Sequence, residues 1–169
     1  MYMHVHGHGD AQKLAATLRT ALGASRTPMG AAPAPAPERL VLDTAALDRQ
    51  LGAQGKSAGG TYQFSIPRRE QVTQDGVVVP PALGLGTAIN FQSIGGQKAV
   101  TTGDFVLVEA EVTPALRALR QHGIDVTALH NHMAGEQPRL FFMRFWGKGE
   151  AAKLASGIAA ALSKMNLRR

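Results

Sequence analysis

Hydrophobic residues recur along this chain at two spacings, one typical of helices and one typical of strands. Apolar side chains at every third or fourth position predict amphipathic helices over residues 10–22 and 150–164. Alternating or continuous apolar runs predict strands over residues 1–8, 61–66, 71–74, 77–79, 87–94, 97–101, 104–108, 125–132 and 139–146. The chain is therefore expected to combine helices with a sheet.

Turn and capping residues add two local features. Asp43 or Thr44 can cap a short helix that ends just before Gly52. Asp75 and Gly76 stand between two of the predicted strands and tolerate the positive φ angles of a tight hairpin turn. These signals predict one helix and one hairpin early in the main part of the chain.

A longer helix is marked at both of its ends. Thr113 as N-cap and Pro114 at the first helical position predict its start, and Gly123 predicts its end. Ile124 can then fold back on Leu119 in a Schellman ending. The order of elements from here on is strand, helix, strand, strand, helix, which predicts an α+β fold with a mostly antiparallel sheet and helices packed on one face.

The first 25 residues repeat residues 141–165 at a constant offset of 140, with nine identical positions and a Gly-x-Gly step in each copy. A repeat of this kind brings a whole unit with it. Residues 1–25 are therefore interpreted as the strand-helix tail of a preceding repeat, residues 26–39 as a Pro/Ala-rich linker, and residues 40–169 as a complete α+β domain. A lone helix of this length is marginal in water, so we expect residues 1–25 to pack against the complete domain or to form a homodimer with a second chain.

The composition, with 44% hydrophobic and 18% charged residues, is that of an ordinary globular protein. The net charge of +6 comes from scattered basic residues without interleaved aromatics, which argues against nucleic-acid binding. The absence of cysteine excludes disulfides and thiolate metal sites. The chain shows no signal peptide and no apolar run of the roughly 18 residues that a transmembrane helix requires, and by itself it does not indicate a cellular location.

Five of the six histidines fall into two clusters with alternating spacing: His4, His6 and His8 near the start, and His130 and His132 at the end of a predicted strand. Alternate side chains of a strand share one face, about 6–7 Å apart. Two convergent imidazoles form half of a zinc, copper or iron site. The alternative for an isolated pair is a polar strand end whose histidines bridge backbone carbonyls.

Two glutamates are candidates for completing such a site. Glu136 follows His132 by four residues and can supply an oxygen ligand or move protons as a catalytic residue. Glu109, after a predicted buried strand, is the other candidate oxygen ligand, and its alternative role is that of an acidic residue at a helix entry. Imidazole ligands favour zinc, with copper possible, and Met133 and Met143 would suit copper(I) unless they pack in the core.

Four segments between residues 59 and 155 carry a family resemblance that covers roughly residues 40–165: GGTYQFSIPR, DGVVVPPALGLGTAINFQ, GDFVLVEAEVTPALRALRQHGIDV and VTALHNHMAGEQPRLFFMRFWGKGEAAKLA. As a set they resemble the LppY/LpqO family of bacterial proteins, a domain of unknown function. The resemblance implies tandem repeats of this unit in an exported or lipid-anchored protein, and hence a periplasmic or envelope location. It implies no activity.

One position departs from the pattern of that family. Where the family tends to read Phe-Met-His-Phe-Trp, this chain has Arg144 in place of the histidine, and the N-terminal copy keeps His4. A guanidinium is always protonated and cannot coordinate a cation. Three alternatives follow: His130 and His132 suffice with a carboxylate, His4 supplies the missing metal ligand, or Arg144 converts the pocket into a site for a substrate or other anion.

The leading hypothesis is a transition-metal-binding domain with its site at the His-x-His strand end. One alternative is a metal-dependent hydrolase or decarboxylase, in which Glu136 moves protons and Arg144 holds a substrate carboxylate or phosphate. Another is a noncatalytic envelope module that recognises a partner. The sequence identifies no small-molecule ligand.

Overall fold

The computed structural model describes residue 5 together with residues 7–26, 29–30 and 40–168. The chain divides into two compact units, Met1–Ala36 and Pro37–Arg169. No helix among the described residues is long and apolar enough to cross a lipid bilayer.

The first unit contains helix α1 (Ala11–Gly23), which confirms the helix predicted over residues 10–22. The carboxylate of Asp10 caps it by accepting a hydrogen bond from the Lys13 N–H at 3.0 Å. The strand predicted over residues 1–8 and the predicted linker fall mostly outside the described residues.

The second unit is an α+β fold, as the order of predicted elements indicates. Its strands are β1 (Lys56–Ala58), β2 (Thr61–Pro67), β3 (Val72–Gln74), β4 (Val77–Val79), β5 (Gly86–Ser93), β6 (Lys98–Leu107), β7 (Asp125–His130) and β8 (Phe141–Glu150). Its helices are α2 (Thr44–Leu51), α3 (Glu109–Gln121) and α4 (Ala151–Leu162), with a 3-10 turn at Pro81–Leu83. The main sheet has the antiparallel order β1-β2-β5-β6-β8-β7, and β3 and β4 form a separate hairpin.

Local capping and turn signals are confirmed where they depend on near neighbours. Asp43 caps α2 by accepting the Ala46 N–H at 2.9 Å, and Gly52 follows the helix with a φ of 65°. Asp75 and Gly76 have φ angles of 51° and 77° in the β3–β4 turn. These conformations suit the residue types that occupy them, so the sequence alone was sufficient to predict them.

The end of α3 is likewise the predicted Schellman ending. Gly123 has a φ of 72° and donates its N–H to the Arg120 carbonyl at 3.1 Å. The Ile124 N–H donates to the Leu119 carbonyl at 3.1 Å, and both apolar side chains are fully buried.

The start of α3 differs from the prediction. The helix begins at Glu109, four residues before the predicted N-cap Thr113, and Pro114 lies inside it. Its first turn is capped by Glu111, whose carboxylate accepts the backbone N–H of Val108 at 3.0 Å. A glutamate at the third helical position forms the returning half of a capping box. The tertiary contacts of Glu111 decide where this helix begins.

Residues 98–107 form one continuous strand, β6, where the sequence predicted two strands separated near Gly103. A side chain at Gly103 would clash with the backbone carbonyl of Ala88 and with the Phe145 ring. The glycine therefore allows the close approach of neighbouring strands and does not end the strand.

A buried ion pair joins four segments of this unit. The Arg68 side chain, 2% exposed, donates to both oxygens of Glu111 at 2.6 and 3.0 Å, and to the Val106 carbonyl at 2.8 Å. The Glu111 carboxylate also accepts the Asn166 backbone N–H at 2.8 Å. Burial by itself would lower the pKa of Arg68, but Glu111 and Glu70 raise it above its ordinary value. The end of β2, strand β6, the start of α3 and the C-terminal segment thus meet at one charge pair.

The two faces of the main sheet have different surroundings. Phe105 and Phe145 belong to the main core, which lies under helices α2, α3 and α4. Val106 and Phe142 belong to a second, smaller core, and because successive strand residues point to opposite faces, that core lies on the other side of the sheet. The rest of that side, here called the open face, carries partly or largely exposed side chains, among them Thr102, Asp104, Arg144 and Trp146.

Replacing Glu111 with alanine should lower the free energy of unfolding by about 3 kcal/mol or more, because the buried Arg68 charge loses its main partner. The exposed Glu109, in the same first turn of α3, offers a matched control, since Glu109→Ala should change stability by less than about 0.5 kcal/mol. Urea unfolding followed by circular dichroism measures both. A loss under about 1 kcal/mol for Glu111→Ala would contradict the importance of the pair.

Candidate metal centre

An irregularity in β7 directs the first histidine to the open face. The pairing of β7 with β8 shifts by one residue at Thr127, between Val126 and the next paired residue. Such a bulge changes the face to which all later side chains point. Val126 precedes the shift and packs against the main core. His130 follows the shift, is paired with Phe142, and points to the side of the sheet away from the main core.

The second histidine lies just beyond the end of β7, and its ring meets that of the first. The Nε2 atoms of His130 and His132 are 3.1 Å apart. The Phe142 ring stacks on the His132 ring, with centroids 3.4 Å apart and planes at 7°. The Asn131 amide donates to the Leu140 carbonyl at 2.6 Å and holds the connection in place. The structure therefore brings together the two histidines that the sequence singled out.

Asp104 of β6 completes a group of three partly buried side chains with metal-binding atoms. Its Oδ2 atom is 4.0 Å from Nε2 of His130 and 3.9 Å from Nε2 of His132, and one ligand atom of each residue lies within 4.8 Å of the other two. Its Oδ1 atom is buried without a hydrogen-bond partner among the described residues. A carboxylate in this position can act as an oxygen ligand of a metal cation.

Asp104 is not among the site residues that the sequence predicts. Strand β8 lies between β6 and β7, so only the pairing of the strands brings Asp104 close to the histidines. The available signal was an acidic side chain at the start of the apolar strand predicted over residues 104–108. That signal does not by itself point to His130.

Arg144 lies on β8, between the strands that carry Asp104 and His130. It is paired with Asp104 in the sheet, and its Nη2 atom donates to Asp104 Oδ2 at 3.1 Å. Its side chain is 34% exposed. The guanidinium balances the Asp104 charge, and it also opposes the approach of a cation to that carboxylate.

Two other predicted site residues, Glu136 and Glu109, are not part of this group. Glu136 is fully buried, and its carboxylate accepts hydrogen bonds from Arg139 at 3.0 Å and from the Leu140 N–H at 2.9 Å. These bonds close the connection between β7 and β8. Glu109 is exposed at the start of α3, and His4 lies outside the described residues.

The two methionines considered as copper(I) ligands occupy apolar surroundings. Met143 is fully buried in the main core, on the side of the sheet that faces the helices. Met133 packs against the second core. Among the described residues, the donor atoms grouped on the open face are therefore nitrogen and oxygen, a set that suits zinc better than copper(I).

The fold and this group define an α+β domain with three potential metal ligands on the open face of its sheet. The chain belongs to the family described as Domain of Unknown Function (DUF1259), which matches residues 45–164. A comparison with curated proteins found no match, and a comparison with solved structures found none. The matched range contains Asp104, His130, His132 and Arg144.

Proposed function

We propose that this domain binds a divalent transition metal, zinc in the first place, through Asp104, His130 and His132. The proposal is supported by the convergence of two imidazole nitrogens and one carboxylate oxygen within 4.8 Å of one another. A tetrahedral zinc ion with bonds of about 2.0–2.1 Å separates its ligand atoms by roughly 3.3 Å. Separations of 3.1, 3.9 and 4.0 Å therefore require only small side-chain rotations to fit such an ion.

The surroundings of the three side chains also suit a metal centre. The stacked Phe142 ring and the Asn131 hydrogen bond limit the orientations of His132 and its loop. Ligands held in place in this way bind a metal with less loss of conformational freedom. Asp104 Oδ1, which has no hydrogen-bond partner among the described residues, could supply a second oxygen ligand.

The second candidate function is catalysis at the same centre, as a metal-dependent hydrolase or decarboxylase. Three protein ligands leave a fourth position for water or substrate, which is the arrangement of catalytic zinc sites. Arg144, which donates to Asp104, lies next to one of the three ligands, and its planar guanidinium would suit a substrate carboxylate or phosphate. Both oxygens of Glu136 accept hydrogen bonds from the protein. These bonds would have to break before Glu136 could transfer protons, the role predicted for it from the sequence.

The narrower family and the location are also proposals. Within the DUF1259 family, the HNH, EQPRLFFM and VPPALGLG segments support membership of the LppY/LpqO group. That membership implies an exported, periplasmic or envelope-associated protein, an environment in which a cysteine-free metal centre is chemically suitable.

Protein purified without chelator should carry about one equivalent of zinc per chain, measured by inductively coupled plasma mass spectrometry. The double variant His130→Ala, His132→Ala and the single variant Asp104→Asn should each bind zinc at least about 100-fold more weakly, since even outer partners of metal ligands contribute 10–100-fold. A preparation without stoichiometric transition metal, together with unchanged affinity in the double variant, would refute the proposal.

Glu136→Gln provides the control for this experiment. The amide oxygen can still accept the Leu140 N–H, so the connection between β7 and β8 should persist. Zinc affinity should then equal that of the wild type. A large loss would instead return Glu136 to the set of metal ligands.

Arg144→His should raise zinc affinity by at least about tenfold, because it removes a positive charge 3.1 Å from Asp104 Oδ2 and adds an imidazole. Arg144→Gln removes the charge without adding a ligand and should give a smaller rise. Calorimetric zinc titration compares the two variants with the wild type. Equal affinities in all three proteins would show that Arg144 does not oppose the cation.

If the centre is catalytic, the zinc-loaded protein should turn over small esters or β-keto acids. The variant His130→Ala, His132→Ala should lose that turnover while keeping its circular dichroism spectrum, because the metal that these residues would hold would supply the polarisation of the reacting carbonyl or water. Absence of turnover in every metal-loaded form would leave metal binding as the function of the site.

A further inference from the structure

Three side chains alternate along β8 on the open face: Arg144, Trp146 and Lys148. Strand residues two positions apart point to the same side and lie about 6–7 Å from each other. Trp146 is 44% exposed, and Lys148 is exposed as well. These three residues, here called the β8 row, begin at the proposed metal centre, since Arg144 bonds to Asp104.

Trp146 lies on an interior strand of the sheet, and its two cross-strand neighbours are polar residues. Strand β8 pairs with β6 on one side and with β7 on the other. The residues opposite Trp146 are Thr102, which is exposed, and Asp125, whose charge is balanced by Arg120. A partly exposed indole in this position offers a flat apolar surface against which another ring can pack.

The β8 row also favours a negative charge. Lys148 lies about 13 Å from Arg144 along the strand, with Trp146 midway between them. Among the described residues, the carboxylate that accepts a hydrogen bond from Arg144 is that of Asp104, which the proposed metal would bind. In the N-terminal copy of this strand the three corresponding residues are histidines. The combination of two cationic side chains with an indole is therefore found in residues 144–148 and not in residues 4–8.

We propose that the β8 row binds a carboxylate carried on a six-membered ring, with the carboxylate at Arg144 and the metal, and the ring against Trp146. The inference rests on the proposed metal centre. When Asp104 Oδ2 binds the cation, the planar guanidinium of Arg144 can turn its N–H donors to the carboxylate of the ligand, a geometry to which it is well suited. Sugar acids and aromatic acids share this chemistry, and Lys148 favours a ligand with a second negative charge beyond the ring.

Trp146 is the single tryptophan of the chain, so its fluorescence reports on this face. The zinc-loaded full-length protein is titrated with galacturonate, benzoate, galactose and acetate. At least one of the two ring acids should quench the fluorescence saturably. Galactose lacks the carboxylate and acetate lacks the ring, so each should bind at least about tenfold more weakly than that acid. Tighter binding of galacturonate identifies a sugar acid, and tighter binding of benzoate identifies an aromatic acid.

Three variants then test the assignment by calorimetry, with zinc content measured in the same samples. Arg144→Gln should bind the ring acid at least about tenfold more weakly although its zinc affinity rises, a combination that general damage to the fold would not produce. Trp146→Ala should lose roughly fivefold or more in affinity for the ring acid. Lys164→Gln removes an equal charge from an exposed position after α4 and should behave as the wild type.

The outcomes separate this inference from the proposed metal site. Stoichiometric zinc without binding of either ring acid would overturn the inference and leave the metal site intact. Unchanged ring-acid affinity in both Arg144→Gln and Trp146→Ala would overturn it as well. A protein that binds no zinc would remove both proposals together, and the metal measurement alone would reveal this.

Discussion

The buried pair of Arg68 and Glu111 is the interaction on which the rest of the domain depends. Neither charge is stable in the core without the other, so their two bonds require the end of β2 and the start of α3 to meet. Glu111 also caps α3 at Val108 and binds the backbone of Asn166. Arg68 holds the carbonyl of Val106, two residues from Asp104 on the same strand. The constraint thus extends from the helices to the strand that carries one of the site residues.

The candidate metal centre in turn depends on the geometry of the sheet. Asp104 and His130 lie on strands separated by β8. Their side chains come within 4.0 Å of each other because both point to the open face. The bulge at Thr127 is essential to this arrangement, since without it His130 would point toward the main core. His132 lies beyond the end of β7, so its orientation depends on the Phe142 ring and on the Asn131 hydrogen bond. A site on a regular sheet is accordingly completed by one irregular residue and one tight connection.

The secondary structure was largely predictable, because caps and turns act over a few residues. Asp43, Gly52 and Gly123 have the conformations that their residue types favour. The prediction was wrong where a distant contact decided the outcome. Helix α3 begins at Glu109 because Glu111 bonds to Val108, and to Arg68 from another part of the chain. Strand β6 continues through Gly103 because the neighbouring strand and the Phe145 ring come close to it.

The α+β fold class, the caps of α2, the end of α3 and the pair of histidines follow from the sequence, since hydrophobic periodicity and local spacing carry that information. Long-range contacts bring Asp104 to the histidines, place Arg144 opposite Asp104 and bond Glu136 within its own loop. The two sets of features differ in the range of the interactions that produce them. A hydrophobic period of two residues shows that successive side chains of a strand point to opposite faces. Strand order, register and a single bulge determine which distant side chains share a face.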